Sequence, residues 1–488
     1  MKLEFFTKIQ NYLLLTTLIS WIFRPTGSDI FLIFLFLYFI SIFFSKQTII
    51  DNPKFNLYLI IIIFSSLALI VTTLFLKFAS FGYHYLDLGY DHHLTINLLQ
   101  NKEYYNKIYN ISGFADHFSP SFIPFTYIFY KISASSFWLI FFKSTSIIIF
   151  SFLLLKLNKK LAPIILLSYL LFSKHNVSAI NWEFDTTSLT PALILIIFFS
   201  IKKCNWLVFW ISMVFTLGLK ENSGVIWVCY GIYFIFIERQ HKFGILLSGI
   251  GIIYMLIVWY EVIPFFAKTQ NHIASDINFF RDIPLKIKYI LMVYAPFFFL
   301  PFLNWRWLLF TIPALGINLI GKPEMYSGEF HYDDILSALI AVASLVNLSD
   351  NYVKIKKYFI EKKFLLLVSI SLIVIIKPES PMQKLVRYFP DKKDISAYFE
   401  LKNFLKNHPN KKLAIGTNIS PLMDHANFEI FVSDSLCNIS NNSEYIIFYD
   451  KTFRDQNFLD NCVKKIKSNK KWVKNKNFRY IGVFKKNT

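Results

Sequence analysis

The run from Leu57 to Leu76, LYLIIIIFSSLALIVTTLFL, is followed seven residues later by Tyr83-His84-Tyr85-Leu86-Asp87-Leu88-Gly89-Tyr90-Asp91-His92-His93. The first stretch carries no charge in 20 residues. At about 1.5 Å each they cross the roughly 30 Å hydrocarbon core of a bilayer. Carboxylates and imidazoles then crowd at a lipid boundary, where ionisable groups lose hydration and are rare unless something uses them. This juxtaposition sets the fold class and marks the first place to look for chemistry.

The same apolar character extends outward over the chain. Of its 488 residues 55% are hydrophobic and 19% aromatic, and the mean hydropathy is +0.45, well above soluble domains. This is an integral membrane protein. The 55 Phe against 15 Gly suit bulky lipid-facing helices, although a coding bias toward Phe, Ile, Lys and Asn gives the same skew. The first apolar run, Tyr12 to Phe23, leads into Arg24-Pro25-Thr26-Gly27 rather than a small-x-small cleavage site, so it is expected to stay as a span. Cys437 and Cys462 lie in a polar tail and can pair if that tail is exported, whereas Cys204 and Cys229 lie in apolar segments.

Apolar runs occur at 9–23, 30–44, 57–76, 135–155, 161–173, 188–201, 205–219, 222–237, 243–262, 288–303, 305–320, 333–348 and 363–377. They predict an all-α polytopic protein with about 11–13 transmembrane helices. With a cytoplasmic amino terminus, the inside loops hold 14 Lys or Arg, among them Lys156, Lys202 and Arg239, against the four acids Asp51, Glu238, Asp350 and Glu361. That bias satisfies the positive-inside rule. It places every acidic or histidine cluster outside, together with the tail.

A transmembrane domain over 1–377, with a long outer loop at 77–134, is thus followed by an extracytoplasmic domain over 378–488. From 377 onward there are 21 basic and 11 acidic residues, a net +10 and half of the chain's +20. Such charge suits a solvated surface or anionic headgroups and glycans, and nucleic acid is not expected on the outer face. Leu413–Gly416, Tyr445–Phe448 and Arg479–Phe484 read as strands, and 394–407 and 457–468 as helices, giving a small α/β unit.

The candidate chemistry is carried by Asp87, Asp91, His92 and His93, by Asp116 and His117, by Asp185 within Asn181-Trp182-Glu183-Phe184-Asp185, by Lys220-Glu221, by His331-Tyr332 and by Lys143. Asp87 and Asp91 are one helical turn apart, and a carboxylate withdrawn from water can act as a general base. The competing reading is that Asp87 caps the following helix. Asp87, Asp91 and His117 have ligand types that suit a divalent ion such as Mg or Mn, without a recognised metal spacing. Lys220-Glu221 reads as a neutralised pair at a turn, or as an ammonium held for a phosphate. Lys143 stands eight residues into its expected span, about 12 Å deep, as a structural partner or a phosphate-binding cation.

These motifs resemble DUF2079, a family of bacterial multi-pass membrane proteins. Asp87-Leu88-Gly89 matches its Asp-Leu-Gly element, His117-Phe118-Ser119-Pro120 its His-Phe-Ser-Pro, Lys220-Glu221 its Lys-Glu and His331-Tyr332 its late His-Tyr. Phe184-Asp185 begins its Phe-Asp-Phe-His-Pro-Glu element, but Thr186-Thr187-Ser188 follow here, and His92 stands where the family usually has Gln. The resemblance runs from about Tyr83 to the carboxyl end.

The family is similar in architecture to GT-C membrane glycosyltransferases. This implies Asp87 as catalytic base, a membrane-parallel helix over 121–131 and a sugar donor carried on polyprenyl phosphate. Asp91, His92, Asp116, His117, Lys143, Asp185, Lys220, Glu221, His331 and Tyr332 would bind substrate. The expected setting is the bacterial inner membrane, with a lipid, glycan or protein acceptor. A transporter or flippase for a lipid-linked or anionic solute, and a non-catalytic envelope-assembly protein, are the alternatives.

Overall fold

The computed structural model describes residues 53–83, 87–267, 280–328, 330–350, 380–409, 411–432, 443–449, 456–469, 471–475 and 477–487, with part of 12–22. The runs expected at 30–44 and 363–377 lie outside these residues, as does most of 9–23.

Helix α1 (Pro53–Ala79) contains 27 residues, about 40 Å at 1.5 Å each. Ile61 and Phe64 face outward while Ile62 and Ile63 are buried, as on a helix with lipid on one side and protein on the other. The loop after it folds into α2 (Leu88–Asn101), a two-stranded ladder at 105–112, and α3 (Phe122–Ile132). With 11 residues, about 16 Å, α3 is too short to cross a bilayer. Helix α4 (Phe137–Leu157) returns through the apolar layer.

The short run at 161–173, expected as a span that is tilted, broken or helped by its neighbours, forms a helix that ends in a sharp bend. Helix α5 (Ala162–Leu167) continues as a π turn to Phe172, and the chain then bends by 67° into α6 (Lys174–Asn181). Ser173 makes the break workable, because its side chain accepts from the Asn176 amide at the start of the new helix. The bend delivers residues 181–185 to the mouth of the helical layer, after which α7 (Thr190–Lys202) and α8 (Trp206–Leu217) follow.

Helices α9 (Gly224–Phe236) and α10 (His241–Ile257) approach at backbone distance. A methyl at Gly231 would lie 2.6 Å from the Gly244 carbonyl oxygen, and one at Gly244 would lie 2.5 Å from that of Gly231. Small residues at helix contacts permit this closeness in lipid, where burial of apolar surface does not itself drive association. Helices α11 (Ile283–Tyr294), α12 (Trp305–Ile320) and α13 (Asp334–Asp350) complete the layer. Among the described residues three helices are long and apolar enough to cross a membrane, Leu57–Ala79, Phe137–Leu157 and His241–Ala267, or four if the bent pair counts as one. The other described runs form shorter helices.

Beyond 380 come α14 (Pro381–Tyr388) and α15 (Lys392–Asn407), the latter closed at its start by a reciprocal Asp391–Asp394 capping box. Strands β1 (Leu413–Gly416), β2 (Phe428–Val432), β3 (Tyr445–Phe448), β4 (Trp472–Lys474) and β5 (Gly482–Lys486) form one sheet, ordered β2-β1-β3-β5-β4. The first three are parallel, and β5 and β4 are added antiparallel. Helix α16 (Gln456–Ser468) connects them. The expected strand at 479–484 begins later, at Gly482, and β2 and β4 were not anticipated. Cys462 is disulfide-bonded, Cys204 and Cys229 are free, and Cys437 lies outside the described residues.

This C-terminal unit sits directly on the loop between α1 and α4. Phe81, Tyr90 and Leu94 share a core with Leu401, Leu422 and Met423. Ser136 donates to the Pro421 carbonyl at 2.5 Å, and Gln100 to that of Asp424 at 3.1 Å.

Candidate functional site

Two aspartates at helix starts face each other where α2, the 181–185 loop and the α8–α9 turn meet. Asp87 holds the N-cap position of α2 but makes no side-chain cap bond. The cap bond expected from the Asp87 side chain is thus not made. Glu183 Oε2 reaches the helix start from outside, accepting from the amides of Asp87 at 3.2 Å and Leu88 at 3.3 Å. The Asp87 carboxylate accepts from Trp182 Nε1 at 2.5 Å and lies 3.7 Å from His331 Nδ1. One fifth of its side chain is exposed.

Asp185 caps its own turn, Thr186–Leu189, through bonds from the Thr187 amide at 2.8 Å and hydroxyl at 2.6 Å. Its other oxygen accepts from Lys220 Nζ at 2.6 Å, fully buried. His331 Nε2 lies 3.5 Å from that oxygen and 3.4 Å from Lys220 Nζ. The opposite nitrogen, Nδ1, is buried without a hydrogen-bond partner and faces Asp87. The Tyr332 ring packs on the imidazole, with centroids 4.6 Å apart.

Asp87, Tyr90, Asp91, Asp116, His117, Ser119, Asp185 and Thr186 line one partly open cleft, whose accessible space of about 20 Å³ admits a water molecule and is far smaller than a preformed ligand site. Lys220 and His331 stand immediately behind it. The Lys220-Glu221 pair expected from sequence is split. Lys220 turns to Asp185, while Glu221 accepts from His117 Nδ1 at 3.1 Å and from the Phe118 amide at 3.3 Å.

The protonation states diverge accordingly. Burial, reinforced by the charges of Asp185 and Glu183, raises the Asp87 carboxyl to about 7 against the pull of Lys220. Burial also opposes ionisation of Asp185, but Lys220 outweighs it and holds that carboxyl well below the ordinary value. His331 is lowered to about 3, chiefly by burial, so its contacts to the aspartates are those of a neutral imidazole. Burial and Lys220 disfavour a charge on His117, yet Asp116 and Glu221 prevail and raise it to about 9. His117 is therefore a cation at neutral pH, 36% exposed on the rim.

Two expected site residues lie elsewhere. His92 is fully buried in the contact with the C-terminal unit, bonded to Tyr130 Oη at 2.9 Å and to the Met423 carbonyl at 2.7 Å. It faces away because Asp87 and Asp91 already occupy the cleft side of α2, and a residue one position on points about 100° round the helix. Lys143 is not free for a phosphate. Its ammonium donates to the carbonyls of Ala179 at 2.8 Å, Glu183 at 3.0 Å and Trp182 at 3.4 Å, holding the end of α6.

Among the described residues, one trio offers metal-ligand atoms within 4.8 Å of one another: Asp87, Asp185 and His331. It is not the expected Asp87, Asp91 and His117. The Lys220 ammonium already neutralises Asp185 in this trio and sits beside the histidine nitrogen. Glu183, Trp182 and Thr187 were not singled out as site residues; their one signal was position, in a polar run between apolar segments.

Residues 95–470 match the family described as predicted membrane protein, DUF2079. The match starts later than the resemblance at Tyr83, so Asp87 and Asp91 lie just upstream of it. No curated protein and no solved structure matches the chain. With residues 95–470 of 488 covered, the chain belongs to the DUF2079 family of predicted membrane proteins.

Proposed function

We propose that this protein is a membrane glycosyltransferase that moves a sugar from a polyprenyl-phosphate donor to a lipid, glycan or protein acceptor on the non-cytoplasmic side. The observation that carries the reading is the Asp87 carboxylate. It occupies a cap position without capping, opens onto a cleft, and has its pKa raised to about 7. A base with that pKa is matched to neutral pH. Asp87 takes the proton from the acceptor hydroxyl as the oxygen attacks the anomeric carbon, and the phosphate departs from the opposite face with inversion.

His117, on the rim and bonded to Glu221, is the cation placed nearest the departing phosphate, because Lys220 behind the cleft is already paired with Asp185. Lys143, committed to backbone carbonyls, takes no part in binding it. Preorganised charge of this kind is worth about 3 to 4 kcal/mol per strong contact. The extracytoplasmic placement is supported by the outer-loop contacts of the C-terminal unit, which put it on the cleft side of the helices, and by the disulfide at Cys462.

The test is intact-lipid and glycan mass spectrometry on a deletion strain complemented with wild type or Asp87→Asn. Loss of one sugar from an envelope component, restored only by wild type, is expected. Unchanged lipids and glycans in the deletion strain would overturn the assignment.

A further inference from the structure

Exposed apolar side chains on a water-soluble surface are usually scattered singly, and a group of them marks a contact with protein or lipid. The C-terminal unit carries such a group. Val386, Phe389, Ile395 and Phe399 are 47% to 66% exposed, and among the unit's described residues the other large apolar side chain so exposed is Val473, in β4. On α15 the helical period puts Lys392, Ile395, Phe399 and Lys406 on one exposed face, opposite the buried Ala397, Leu401 and Phe404. Two apolar residues thus stand between lysines, whose stems can lie along lipid while their charges stay among headgroups. The acids of this stretch are turned to backbone. Asp391 accepts from the amides of Lys393 and Asp394, and Glu400 from those of Tyr480 and Ile481.

The group lies at the height where α1 leaves the apolar layer. The Tyr388 ring centre is 5.3 Å from Lys77 Nζ, and a methyl at Gly82 would lie 3.0 Å from the ring edge. Tyr388 therefore marks the end of the Leu57–Ala79 span, and Val386 and Phe389 are no more than two residues from it. Helix α15 begins at the same height, because Tyr449 packs on Phe81 with ring centroids 4.4 Å apart and donates to Asp394 at 2.5 Å. Tyr and Lys are the side chains that anchor helices at this boundary.

We propose that α14 and α15 form a membrane-surface anchor for the C-terminal unit. Val386, Phe389, Ile395 and Phe399 dip into the acyl boundary of the adjoining leaflet, and the exposed Lys392, Lys393 and Lys406 face its anionic headgroups. Bulky apolar residues beside lysines on one helix face are the composition that rests in this layer. Tyr90 belongs both to the core shared with this unit and to the wall of the cleft, so the anchor also sets the height of that wall over the bilayer.

The test places the full-length protein in lipid nanodiscs, with the free Cys204 and Cys229 replaced by Ser and one nitroxide attached at Phe389→Cys, Phe399→Cys or Val473→Cys. All three positions are exposed, so the label leaves the core intact. Power saturation compares collisions with oxygen, which concentrates among acyl chains, and with a water-soluble nickel chelate. Labels at 389 and 399 are expected to favour oxygen, and the label at 473 nickel. Replacing part of the phosphatidylcholine by phosphatidylglycerol should shift the first two further toward oxygen, and Lys392→Gln, Lys393→Gln and Lys406→Gln together should abolish that shift.

A nickel preference at 389 and 399 equal to that at 473 would overturn the proposal. Few collisions with either reagent would overturn it as well, because a second copy or another protein then covers the patch. An oxygen preference that ignores phosphatidylglycerol would overturn the assignment of anionic headgroups.

Discussion

Asp87 and Asp185 stand at the same kind of place, the start of a helical turn, and end in opposite states. Asp185 caps its own turn and receives a buried ammonium, so it stays ionised. Asp87 makes no cap bond and receives a single Trp182 hydrogen bond among other carboxylates, so burial and their charge keep its proton up to about pH 7. Backbone position fixes neither outcome. The difference lies in which neighbours are delivered, and it separates a structural carboxylate from one available for proton transfer.

The contrast can be broken first at Asp87. Asp87→Asn should lower sugar transfer by about a hundred- to ten-thousandfold, the usual range for a lost general base, with the protein still reaching the membrane in normal amount by immunoblot. Wild-type transfer by this variant would end the comparison as a functional one. At Asp185 the break should appear as stability. Lys220→Met leaves a buried carboxylate unpaired and should cost about 3 to 5 kcal/mol. Thermal unfolding in detergent measures this, and the double variant with Asp185→Asn should recover much of the loss.

A smaller effect is expected where the C-terminal unit meets α2. His92→Phe removes its two bonds, one to Tyr130 Oη and one to the Met423 carbonyl, and should cost about 1 to 3 kcal/mol, seen as faster limited proteolysis after residue 407. Unchanged proteolysis would show that the shared apolar core of Tyr90, Leu94, Leu422 and Met423 suffices by itself.

Much of this architecture was readable in the chain. The charge-free run at 57–76 and the strand pattern at 413–416 and 445–448 became α1, β1 and β3, because burial on the correct period leaves few alternatives. The run at 161–173 became the helix over 162–172, but the 67° bend after it leaves no trace in hydropathy, being made at one capping serine. At the site, residue types showed where charge gathers but not how it is shared. Lys220 and Glu221 are neighbours in sequence yet serve Asp185 and His117, partners 35 and 104 residues away. Lys143 has the chemistry of a phosphate ligand and spends it on carbonyls. Glu183 was named only as part of the 181–185 run, because hydrogen bonds made to another segment leave no local pattern.

The central claim, that Asp87 is a base poised near neutrality, is tested most directly by the pH dependence of sugar transfer in membranes carrying wild type or Asp87→Asn. An ionised base is required, so the wild-type rate should rise about tenfold per pH unit below about 7 and level off above it. The asparagine variant should show only a residual rate without that limb. The same rising limb in both proteins would contradict the account.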